Sequence, residues 1–136
     1  VDSCGNITNT IEKGNPFTVR MKVQMHAPIE YPIFALSIKD PKGTEITGTN
    51  TMFEKTDFEV GPIMEISFEQ DMNLQGGEYL LSLGCTGYNG TDFTVYHRLY
   101  DVCNITVVSD KNTVGYYDMN SKITVQTYEG TNICRK

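Results

Sequence analysis

The sequence predicts an all-β protein, an immunoglobulin-like antiparallel β-sandwich. Three observations carry that expectation. Apolar and polar residues alternate at period two in stretch after stretch, the pattern of strands with one buried face. Glycine, proline and asparagine punctuate those stretches at short intervals. No segment carries a helical i, i+3, i+4 stripe longer than two turns. Seven or eight short strands of this kind fold as two packed layers. The length of 136 residues suits one domain with a real core.

The elements follow in order. Phe17, Val19, Met21, Val23 and Met25 alternate with Thr18, Arg20, Lys22, Gln24 and His26, which predicts a strand over 17–26. Phe34, Leu36 and Ile38 predict a strand over 31–39, closed by a turn at Asp40-Pro41-Lys42-Gly43. The next stretch, Glu45 to Thr51, begins as an alternating strand. It contains Gly43-x4-Gly48, the opening spacing of a phosphate-binding loop. No lysine follows Gly48 and no helical pattern opens there, so a nucleotide site is rejected. Gly48-Thr49-Asn50-Thr51 reads instead as a strand end. Glycine permits unusual backbone angles there, and Asn and Thr side chains bond nearby backbone groups.

Met64, Ile66 and Phe68 give a strand over 63–70, and Gly76-Gly77 a turn. Tyr79, Leu81, Leu83 and Cys85 give the next, ended by Tyr88-Asn89-Gly90. Phe93 to Tyr100 continues into Cys103, Ile105 and Val107. Strand 17–26 is expected to pair with 63–70, and 31–39, 79–86 and 93–108 to form the facing sheet. The tryptophan of true immunoglobulin domains is absent. A last alternation, Ile123, Val125 and Thr127, lies beyond a completed sandwich. Such a strand pairs with an edge of its own sheet or crosses to a second copy.

Composition excludes several functions. The net charge is −6 and no cluster of five Lys or Arg occurs, which argues against nucleic acid as a partner. No apolar run approaches the roughly 18 residues that span a bilayer. The four cysteines have no C-x-x-C spacing, so a zinc site is not expected. No other metal and no cofactor is expected. Cys85 and Cys103 read as buried thiols. The sequons at Asn6, Asn89 and Asn104 would carry glycans only in a secretory pathway. Glu65 and Glu69 read as a solvated face, and no carboxylate pair points to glycoside hydrolysis. No catalytic residue is assigned.

The order of several motifs is specific. Gly14-Asn15-Pro16-Phe17-Thr18-Val19-Arg20 comes first, then Pro32 to Gly43 leading into Ile46-Thr47-Gly48-Thr49-Asn50-Thr51. Leu74-Gln75-Gly76-Gly77-Glu78-Tyr79-Leu80-Leu81-Ser82-Leu83-Gly84 follows, then Tyr100-Asp101 and Gly115-Tyr116-Tyr117-Asp118-Met119. Over residues 14 to 128 this resembles the C-terminal domain of Wzt-type ATP-binding subunits of polysaccharide ABC transporters. Members commonly end Gly-x-x-Asp-Leu; here Met119 stands last. The resemblance implies a non-catalytic sandwich over 14–136 that binds the exported polysaccharide and couples it to the ATPase. It implies that residues 1–13 lead in from an upstream ATPase domain, with a membrane permease as a further partner. It also implies a homodimer with 120–130 exchanged as a swapped strand. The expected place is cytoplasmic, at the inner face of the cell membrane, where thiols are reduced.

Sugar binding needs aromatic rings for apolar sugar faces and fixed polar groups for hydroxyls. The outer face of the 31–39, 79–86 and 93–101 sheet offers a floor of small residues: Ala35, Ser37, Ser82, Gly84 and Thr86. Tyr88, Tyr96 and Tyr100 are candidates for stacking, and His97, Arg98, Ser82 and Ser37 for hydrogen bonding. Either Tyr96, Arg98 and Tyr100 or Val95, His97 and Leu99 face out; both sets do so only with a bulge. The alternative for each tyrosine is a ring covering a core edge with its hydroxyl wet. Two other functions fit the same pattern. One is a secreted adhesion or carbohydrate-binding sandwich with a Cys4–Cys134 disulfide. The other is a purely structural dimerisation module.

Overall fold

Each period-two stretch becomes a strand because pairing lets it bury its apolar face without stranding backbone groups. The structure, a computed structural model, describes residues 1–26 and 29–128. In chain order the strands are β1 (Thr10–Glu12), β2 (Pro16–Gln24), β3 (Tyr31–Lys39), β4 (Glu45–Asn50), β5 (Ile63–Asp71), β6 (Gly77–Asn89) and β7 (Asp92–Val108). They form a five-stranded sheet, β1-β7-β6-β3-β4, and a two-stranded sheet, β2-β5. Fold class and sheet partition agree with the expectation.

Two features differ from it. Residues 10–12, read from sequence as part of a lead-in, form β1 and pair parallel to β7, Thr10 opposite Thr106. The large sheet is therefore mixed rather than antiparallel throughout. Three residues are too few for a visible alternation, yet Ile11 is buried and anchors the strand in the core. The second difference is the segment 120–128. Among the described residues it pairs with no strand, and Ile123 and Val125 are 84% and 83% exposed. The last residue pair of the 120–130 strand, and Cys134, lie outside the described residues.

The core fills the space between the sheets. Phe17, Met21 and Phe68 come from the small sheet; Phe34, Leu36, Ile38, Leu81 and Cys85 come from the large one. Phe34 is fully buried and Met72 nearly so. Burying a side chain of this size contributes about 1.5–3 kcal/mol. Burial also pushes the Cys85 thiol pKa up.

Two local devices shape the sheet edges. Asp40 caps the turn after β3, accepting N–H bonds from Lys42 and Thr44 at 3.0 and 2.8 Å. Gly48 sits in β4 opposite Ser37. A Cβ there would lie 2.8 Å from the Leu36 carbonyl oxygen and 3.1 Å from Ser37 Cβ. The glycine is a packing requirement of the β3–β4 pair.

The segment after β7 returns across the molecule and is clamped. Gln75 N–H donates to the Tyr116 carbonyl and Asp118 N–H to the Asn73 carbonyl, both at 2.7 Å. The Tyr116 hydroxyl donates to Asp40 Oδ2 at 2.6 Å, and its ring meets Tyr79 edge-on. Asp118 Oδ2 lies 2.8 Å from Lys111 Nζ and 2.9 Å from Lys13 Nζ. Bonds from Lys111, then Lys13, then the Asn120 N–H hold the Asp118 carboxyl far below the usual aspartate range.

Two outcomes follow from this packing. Gly48→Ala should lose about 1–3 kcal/mol in urea denaturation, the cost of overpacking a tight contact. Gly61→Ala should be close to neutral, since nothing lies within 4 Å of its Cβ position. The second concerns Asp118. A carboxyl whose folded pKa is depressed contributes stability above its unfolded value of 3.8 and loses it as pH falls below that. Thermal midpoints of Asp118→Asn should therefore fall less steeply than wild type from pH 4 downward, while lying below wild type at neutral pH. Parallel acid slopes would contradict the clamp.

Candidate functional site

Register decides which side chains share the outer face of the large sheet. On β3 and β6 the inward pairs are Phe34 with Cys85, Leu36 with Leu83 and Ile38 with Leu81. The outward pairs are Tyr31 with Tyr88, Ile33 with Thr86, Ala35 with Gly84, and Ser37 with Ser82. On β4, Gly48 and Asn50 extend two of these rows. Apart from Ile33, the floor is small-sided on β3 and β6, and Gly48 of β4 continues it.

β7 is bulged twice. Opposite Cys85 and Thr86, the pairing passes from His97 to Val95, leaving Tyr96 as one extra residue. A one-residue insertion switches every later side chain to the other face. Phe93 and Val95 therefore point outward on one side of the bulge, and Arg98 on the other. Opposite Ser82, three residues, 100–102, stand between Leu99 and Cys103. This second bulge puts Asp101 at φ 51 and takes its N–H out of the ladder. Ser82 Oγ accepts that N–H at 2.9 Å.

The sequence candidates separate accordingly. Ser37, Ser82, Tyr88, Arg98 and Tyr100 share the outer face. Arg98 Nη1 donates to the Tyr100 hydroxyl at 3.2 Å. Ser82 is largely covered and holds the bulge, with its hydroxyl proton still available to donate. Tyr96 occupies the bulge, and its ring closes over Gly87, whose Cβ position lies 3.1 Å from Tyr96 Cε2. His97 is not on this face. It lines the cleft between the sheets with Met21, Val23, Leu83, Cys85 and Leu99. His97 and Arg98 thus cannot hydrogen-bond one ligand lying in the trough.

The structure adds Tyr31 and Phe93, which strand patterns missed. With Tyr88 they form one row across β3, β6 and β7, Tyr88 and Phe93 lying edge-on at 5.4 Å. Tyr31 and Phe93 are 64% and 53% exposed, so the row is open to solvent. Three two-residue steps separate this row from Ser37 and Ser82, about 20 Å along the strands. At that far end Lys39 Nζ lies 5.2 Å from the Tyr100 ring centre and 3.6 Å from Asp101 Oδ1. An exposed pair of that length adds at most about 1 kcal/mol. The arrangement offers apolar ring faces at both ends of a shallow polar floor. By contrast, the outer face of β2-β5 carries Arg20, Lys22, Glu65 and Glu69, exposed and charged.

Comparison with known proteins agrees with this architecture. The family described as the Wzt C-terminal domain matches residues 1–119. A solved structure described as the "Crystal structure of the C-terminal domain of wzt" superposes with a TM-score of 0.83. It is 23% identical, over 93% of this chain and 79% of that one, a likeness that speaks to the fold. No curated protein matches the chain. The family match spans both sheets and ends at Met119, inside the clamp around Asp118. The chain belongs to the Wzt C-terminal domain family, a family of the polysaccharide ABC transporter system.

Proposed function

We propose that this domain binds the exported polysaccharide along the outer face of the large sheet, without making or breaking bonds. One observation supports it above others: a floor of Ala35, Ser37, Gly48, Gly84 and Thr86 with exposed rings at both ends. Rings bury the apolar faces of sugars at about 25 cal/mol per Å². Arg98, Asn50 and the Ser37 and Ser82 hydroxyls answer sugar hydroxyls, which otherwise cost about 1–3 kcal/mol each when buried unpaired. In the full transporter the domain would follow an ATPase domain, sit on the cytoplasmic side, and couple the polymer to the permease. The family membership supports that placement, and no helix of the described chain is long and apolar enough to cross a membrane.

The segment 120–128 supports a homodimer. Ile123, Val125 and Tyr128 are exposed and have no strand partner among the described residues. Pairing with an edge of a second copy would cover them.

Titration with the polysaccharide of the source organism tests the first proposal. Gly84→Leu fills the floor and should weaken binding at least tenfold, a change of about 1.4 kcal/mol. Gly84→Ala should keep it, since that Cβ meets only ordinary contacts at 3.6 Å and beyond. His97→Ala should also keep it. Absence of saturable binding, or an unchanged Gly84→Leu, removes the proposal and leaves the structural module. For the dimer, sedimentation of the chain shortened after Met119 should show a monomer where the full chain is dimeric. A monomeric full chain would contradict it.

A further inference from the structure

Beside the aromatic row, the loop 51–60 folds back onto the start of β3 and encloses a cleft of about 340 Å³. Its making is specific. Thr51 N–H donates to the Phe34 carbonyl at 3.0 Å, and Phe34 N–H donates to Thr51 Oγ1 at 3.2 Å. Thr56 N–H closes the loop on the Thr51 carbonyl at 2.9 Å. The Phe58 ring then rests 5.7 Å from the fully buried ring of Phe34. Phe58 is thereby one wall of the cleft, and Tyr31 and Tyr88 are others. Glu30 and Asp57 stand at the same cleft, and its lining residues include no Lys, Arg or His.

We propose that this cleft takes a protonated amine, presented by an amino sugar of the bound glycan. The inference rests on the glycan-binding reading above and names a chemical class of sugar for one end of that face. Rings attract a cation through their negative faces. Two carboxylates at a cleft whose lining residues include no Lys, Arg or His favour positive charge and oppose a carboxylate or phosphate substituent. The other end of the face has the opposite balance, since Arg98 and Lys39 stand there against the single carboxylate of Asp101. The sign of the charge therefore changes along the trough, and an amine is held at the Tyr31 end.

Amide chemical-shift mapping of the labelled protein tests this with two probes, D-glucosamine and N-acetyl-D-glucosamine, at mildly acidic pH. Glucosamine should shift the amides of Tyr31, Phe58 and Tyr88 saturably. Its binding should weaken at least fivefold on adding salt and in Asp57→Asn combined with Glu30→Gln. N-acetylglucosamine, which lacks the charge, should bind at least fivefold more weakly. Equal binding of both sugars, no shift at the cleft, or an unchanged double variant would overturn the inference. If the polysaccharide titrates normally while glucosamine fails, the amine inference alone falls. If glucosamine binds and the polysaccharide does not, the glycan-binding reading falls and takes with it the amino sugar of a bound glycan.

Discussion

The pairing of β7 with β6 controls the rest of the structure. A single extra residue at Tyr96 switches the parity of β7. That switch lets His97, Leu99 and Cys103 face the small sheet while Arg98 faces outward. It also leaves Phe93 outward, in line with Tyr88 and Tyr31. Without the bulge, either the inter-sheet side would receive arginine or the outer face would lose one of its ring-bearing ends. A charged guanidinium between the sheets would be strongly disfavoured. The bulge therefore serves both core and surface, as insertions near binding faces often do. The second bulge, held by the Ser82 hydroxyl, sets Asp101 within reach of Lys39.

The fold was readable because its evidence is local. Alternations such as Phe17 to Met25 or Tyr79 to Cys85 declare a strand and its buried face without reference to any neighbour. The partition into two sheets followed from the same stretches. β1 escaped because three residues carry no period, and only its pairing with Thr106, Val107 and Val108 identifies it. The site was half readable. The small floor could be seen from Ala35, Ser37, Ser82 and Gly84. The row Tyr31–Tyr88–Phe93 could not, since it exists only once register sets three strands side by side. The side taken by His97 stayed open for the same reason: it depends on the one-residue bulge at Tyr96, which only the pairing with β6 reveals. Asp118 was visible in the Gly115-to-Met119 motif, but its partners Lys13 and Lys111 are distant in the chain.

Charge is arranged unevenly for a chain of net −6. The exterior of β2-β5 is charged at half of its outward positions, while the outer face of β3 and β6 from Tyr31 to Ser37 is lined mainly by small, hydroxyl-bearing and aromatic side chains. Such a face suits a ligand that is neutral over most of its length and bears charge only where the protein opposes it. The Asp118 clamp lies away from this face and serves another end. It fastens the returning chain to β1 and β5 exits through Lys13 and Asn73, so that the segment 120–128 departs from a fixed point. A tail leaving from a fixed point loses less freedom on meeting a partner strand than one leaving from a loose loop.

All of this makes the position of the polymer the decisive observable. Hydrogen–deuterium exchange of the full chain with and without its polysaccharide measures it directly. Protection concentrated in residues 31–37, 82–88 and 93–100, with the β2-β5 exterior unchanged, is the predicted result. Protection confined to Arg20, Lys22, Glu65 and Glu69, or none at saturating polymer, would contradict the placement of the sugar chain on the large sheet.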